Sequence, residues 1–115
     1  MSKKTVTYQP LTPAVFHILL ALSDGEKHGY AIMKEVAALS EGRVTLSTGT
    51  LYGALKRLLD QGWIRRVDDA SANGSGRVRK SYVLTRLGQQ ILAAEVERLE
   101  RLVRSAHRHS LKEPV

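Results

Sequence analysis

The sequence predicts a mainly α-helical fold carrying one small β-hairpin, an α+β arrangement. Three observations lead there. Three stretches between residues 12 and 62 place apolar side chains at helical spacing and carry start and stop signals. Two β-prone runs, 63–67 and 78–85, flank a loop without a large apolar residue. A fourth helical pattern then runs unbroken over 87–110.

Residues 1–10 have no period and read as an extended N-terminal arm. Thr12-Pro13 opens the first helix, because proline's missing N–H costs nothing in a first turn. Val15, Ile18, Leu19 and Leu22, widened by Phe16, form its core stripe, and Ser23-Asp24-Gly25 stops it. The second helix is expected from His28 to Leu39, burying Ile32, Val36 and Leu39, with Gly42 at its end. Residues 43–46 form a short β-prone run.

The third helix, 47–61, has both ends marked. The Ser47 hydroxyl can accept from first-turn amides, and Gly62 takes the left-handed conformation without a Cβ clash. Leu51, Leu55, Leu58 and Leu59 give the buried stripe. The other side presents Thr48, Gly49, Tyr52, Gly53 and Lys56, with no carboxylate before Asp60. An interior glycine costs about 1 kcal/mol relative to alanine. Close approach of this backbone to a bulky object would justify that loss.

In the hairpin, Val78, Lys80, Tyr82 and Leu84 share one face, and Arg79, Ser81 and Val83 the other. Trp63 is expected to close the base of the core. Thr85 caps the last helix. Leu92, Val96, Leu99, Val103 and Ala106 recur at a spacing of 4, 3, 4, 3, a coiled-coil-like seam that outruns so small a domain and calls for a second copy of the chain. Glu97/Arg101 and Glu100/Arg104 are i, i+4 pairs, and Arg98, Arg101, Arg104 and Arg108 read as the solvated back of this helix.

The charge is distributed unevenly. The 115 residues carry a net +7, of which residues 43–86 supply +6, while 1–42 are neutral and 87–115 add +1. A polyanion partner follows. With no cysteine, a disulfide framework, a thiolate zinc site and a cysteine nucleophile are excluded. No nucleophile elbow, phosphate loop or carboxylate pair appears, so neither an enzyme nor a cofactor is expected. His107 and His109 face different ways on a helix and make no metal site. The longest apolar run, 18–22, is far short of the roughly 18 residues that span a bilayer. The expected setting is cytoplasmic, without a membrane partner.

Helices, a short strand, a third helix and a basic hairpin form a winged helix-turn-helix, with the third helix in a DNA major groove and the hairpin on the backbone or minor groove. Ser47, Thr48, Gly49, Thr50, Tyr52, Gly53 and Lys56 are the expected DNA contacts on that helix, and Arg77, Arg79 and Lys80 those of the wing, with Arg65 and Arg66 on its outgoing strand. Tyr30 is the further candidate; for it and for Tyr52 half-buried packing is the competing role.

The order and spacing of Leu11-Thr12-Pro13, His28-Gly29-Tyr30, Gly49-Thr50-Leu51-Tyr52, Leu55-Lys56-Arg57-Leu58, Gly62-Trp63-Ile64 and Tyr82-Val83-Leu84-Thr85 with Gly88 resemble the PadR family of bacterial transcriptional regulators. The resemblance covers residues 11–105. It implies a homodimer that binds a double-stranded operator, usually represses, and is often released by a small-molecule effector. It also divides the chain into an arm (1–10), a winged DNA-binding domain (11–86), a dimerisation helix (87–110) and a disordered tail (111–115), the short form of the family. One position departs: Gly53 stands where the family usually has proline. The alternative is a small-molecule-binding or protein-interaction module that keeps this scaffold with weak DNA binding.

Overall fold

The computed structural model describes residues 8–69 and 79–109. The arm before Tyr8, the wing tip with Arg77, and the tail after His109 lie outside the described residues. The elements are α1 (Pro13–Ala21), β1 (Lys27–His28), α2 (Gly29–Leu39), α3 (Thr48–Gln61), β2 (Ile64–Asp69), β3 (Arg79–Leu84) and α4 (Arg86–His109).

The helix ends follow their local signals. The Thr12 hydroxyl accepts from the Val15 amide at 3.2 Å, and the Ser47 hydroxyl from the Thr50 amide at 3.1 Å. Gly62 closes α3 at φ +77°, where a side chain would be strained. Thr85 holds two elements together: its hydroxyl accepts from the Gly88 amide at 3.0 Å and donates to the Gly62 carbonyl at 2.6 Å.

The sheet is antiparallel, in the order β1-β3-β2. This corrects one expectation: the short strand outside the hairpin precedes α2 instead of following it. Lys27 and His28 pair with Tyr82 and Ser81 along the second edge of β3, and the Ser81 hydroxyl is hydrogen-bonded to His28 Nδ1 at 2.8 Å. Residues 43–46 form no strand. The Ser40 side chain takes the Val44 amide at 2.8 Å and donates to its carbonyl at 3.2 Å. With those groups satisfied, the segment turns inward to bury Leu46 and half-bury Val44.

The core joins Ile18, Leu19 and Leu22 of the first helical segment to Ile32 and Val36 of α2, Leu51, Leu55 and Leu58 of α3, Ile64, Tyr82 and Leu84 of the sheet, and Ile91 and Leu92 of α4. Trp63 packs against its edge, as expected. Leu39, expected inside, is 41% exposed. Leu92 also corrects an expectation. It is buried in its own chain's core, so the outward seam of α4 begins at Val96 and runs through the half-buried Leu99 to the exposed Leu102 and Val103. Ala106, the last expected seam position, is half-buried.

Candidate nucleic-acid interface

Burial of Leu51, Ala54, Leu55 and Leu58 fixes which side of α3 looks outward. Ser47, Thr48, Gly49 and Thr50 are exposed at its N-terminus, Gly53 is half-buried one turn on, and Lys56 follows. The Lys56 side chain is 79% exposed and makes only a loose 3.8 Å ion pair with Asp60. The Ser47 cap takes the Thr50 amide, so the amides of Thr48 and Gly49 point outward as donors for an anion.

Among the described residues, nothing requires these two glycines to be small. A Cβ on Gly49 would meet nothing within 4 Å, and one on Gly53 only the Arg57 guanidinium, at 3.9 Å. Two other glycines are crowded. A Cβ on Gly29 would collide with the Tyr52 hydroxyl, and one on Gly88 with the Trp63 carbonyl. Those two glycines are required by intramolecular packing. At Gly49 and Gly53 the bare backbone faces out. Gly53 in place of the usual proline leaves α3 continuous.

Tyr52 therefore has two parts to play. Its ring lies over Gly29 at the start of α2, and 42% of it remains exposed beside Lys56. Tyr30 is different: it is 70% exposed, with the Lys34 ammonium 5.6 Å from its ring centre. The hairpin brings Arg65, Arg66 and Lys80 to the surface. Arg66 is held by Asp68 at 3.0 Å. Arg77 and the side chain of Arg79 lie outside the described residues.

Two residues of consequence have no strong local signal. Arg57 sits four residues after Gly53 and eight after Gly49, on the same stripe. Glu95 is buried on α4. Its carboxylate accepts from the Tyr8 hydroxyl at 3.0 Å, the Leu11 amide at 3.1 Å, and Arg98 through two bonds of 2.7 Å. Arg98 is thus part of an internal clamp and not of the solvated back of the helix. The bidentate guanidinium, opposed by burial and helped by the Leu11 amide and the Tyr8 hydroxyl, holds Glu95 down to about 2.

The family model for PadR-like transcriptional regulators matches residues 18–94. The chain belongs to this family. Two of the motifs meet in space, as Tyr52 of Gly-Thr-Leu-Tyr covers Gly29 of His28-Gly29-Tyr30 at the start of α2, while Gly88 seats α4 on Trp63. A PadR family regulator from Clostridium difficile R20291 is 27% identical, with a TM-score of 0.67 over 88% of this chain and 100% of its own. Bacillus subtilis PadR, solved in complex with operator DNA, is 28% identical, with a TM-score of 0.62 over 70% of this chain and 45% of its own. An uncharacterized 37.1 kDa protein in transposon TN4556 of Streptomyces fradiae is 38% identical over 85 residues, which make up 74% of this chain. The chain spans 22% of that relative's length.

Proposed function

We propose that this PadR-like chain is a repressor that binds operator DNA as a homodimer, with α3 in the major groove and the hairpin wing against the backbone or minor groove. The observation that carries the reading is the outward side of α3: it is acid-free up to Asp60, it starts with open amides, and its two glycines are small for no internal reason. A duplex groove is the bulky, polyanionic object that such a face fits. Bacillus subtilis PadR, a structural relative crystallised on operator DNA, lends support.

The second copy is inferred from α4. Leu102 and Val103 are more than half exposed, and Val96 is 36% exposed, on a helix of 24 residues. Two such stripes bury each other and set two α3 helices at a fixed separation. A small-molecule effector that releases the operator completes the reading.

Mobility shift against genomic fragments selected by the purified protein tests it. Lys56→Ala should weaken binding about tenfold, the value of one phosphate or base contact. Tyr52→Phe keeps the ring on Gly29 and isolates the hydroxyl, which Tyr52→Ala would not. Unchanged affinity in both variants would remove α3 from the interface.

A further inference from the structure

Two cations stand on the accessible part of α3, and they are placed differently. Lys56 is 79% exposed and loosely tied to Asp60. Arg57 starts from the flank of the helix, beside Ala54, Leu58 and Gln61. Successive helical residues turn by about 100°. Gly49 and Gly53 therefore lie opposite the buried Leu51, Leu55 and Leu58, while Arg57 is displaced to one side. Its side chain runs back toward the N-terminus of α3, the direction in which helical side chains lean. One guanidinium nitrogen ends 3.9 Å from the point a Gly53 Cβ would occupy. The charge is thus carried from the flank to the middle of the outward side. Among the described residues, no carboxylate within 4 Å draws it there.

We propose that Arg57 reads a guanine in the major groove, reaching it across the bare Gly53 backbone, and that it is a specificity-determining residue of this chain. The inference rests on the reading of α3 as the helix in the groove. A helix lying there has phosphates along its two flanks and base edges beneath its middle. A guanidinium left on the flank would meet a phosphate, which carries no sequence information. Laid over a residue without a side chain, it stands above the base edges. Its planar fork of donors matches the O6 and N7 acceptors of guanine, a geometry that the point charge of an ammonium does not reproduce. Gly53 then serves twice: its backbone approaches the duplex, and its missing side chain leaves the guanidinium room to cross.

The test replaces the guanines of a selected duplex one at a time by 7-deazaguanine, which removes the N7 acceptor and leaves every phosphate in place. At one guanine per half-site the unaltered protein should lose about tenfold in affinity, the value of one charge-assisted hydrogen bond. Arg57→Met keeps the stem and removes the fork. It should bind the unmodified duplex at least about tenfold more weakly and be indifferent to the replacement at that same guanine, the coupling that direct contact produces. Arg57→Lys keeps the charge. It should bind scrambled duplex as the unaltered protein does and still fall about tenfold on the selected one. No sensitive guanine, losses from Arg57→Met and from each replacement that simply add, or full recovery of selected-duplex affinity in Arg57→Lys would make Arg57 a phosphate contact and overturn the proposal. A selected duplex that Lys56→Ala weakens and Arg57→Met does not overturns it as well, while keeping α3 in the groove. A protein that ignores duplex altogether contradicts the α3 reading itself, and this proposal with it.

Discussion

Glu95 is the one charged side chain in the core among the described residues. Its four hydrogen bonds offset the cost of burying a charge, which an unpaired carboxylate could not do. The same bonds make it a pH-dependent fastener. Its pKa is about 2 in the folded chain against an ordinary 4.5. A depressed acid contributes stability above its unfolded value, and that contribution disappears as pH falls through the folded one. The window therefore runs from about pH 4.5 down to about pH 2, and the contribution is on the order of 3 kcal/mol. Urea unfolding of the protein and of Glu95→Gln from pH 6 to pH 2 should show a stability gap that narrows across this window. A gap constant with pH would mean that the clamp is not ionic. The residue was visible in the sequence only as a carboxylate at a core position of an apolar stripe with Gly88, Ile91 and Leu92. What explains it lies 84 and 87 positions away, at Leu11 and Tyr8, where no local pattern reaches.

Elements were legible where their causes are local. Both ends of α3 could be read because a serine hydroxyl and a left-handed glycine act within one turn. β1 could not. Lys27-His28 has no strand pattern, and it is extended because β3 offers a free edge and Ser81 a partner for the His28 ring. The run 43–46 is the opposite case, β-prone in composition but with no strand beside it. The junction between sheet and last helix depends on Gly88, whose Cα faces the Trp63 carbonyl. Gly88→Ala would remove a backbone entropy cost in any ordinary helix. Here it must push α4 off the Trp63 backbone, and denaturant unfolding should show a loss of about 2–4 kcal/mol. A neutral or stabilising effect would show that α4 can shift freely on the sheet.

For the whole molecule, one helix carries two apolar faces. One face of α4, through Gly88, Ile91, Leu92 and Glu95, belongs to its own domain. The other, through Val96, Leu102 and Val103, is left to water or to a second copy. The sequence pattern merged the two, because Leu92 and Val96 are four residues apart and continue one spacing, while burial separates them. Leu102→Asp with Val103→Asp should turn a dimer into a monomer by sedimentation. Because each half would then bind its half-site alone, operator affinity should fall by on the order of a hundredfold. A variant that stays dimeric places the second copy elsewhere.

The bare side of α3 is the feature on which the functional account turns, and alanine at its two glycines tests it most directly. Gly49→Ala with Gly53→Ala adds two methyl groups that meet nothing closer than 3.9 Å inside the protein. The helix should gain up to about 1 kcal/mol for each, read as a higher melting temperature. Fluorescence anisotropy with a selected duplex should at the same time show affinity lowered about tenfold or more, as methyls enter a space the groove needs. A more stable protein that binds the duplex as well as before would contradict the account.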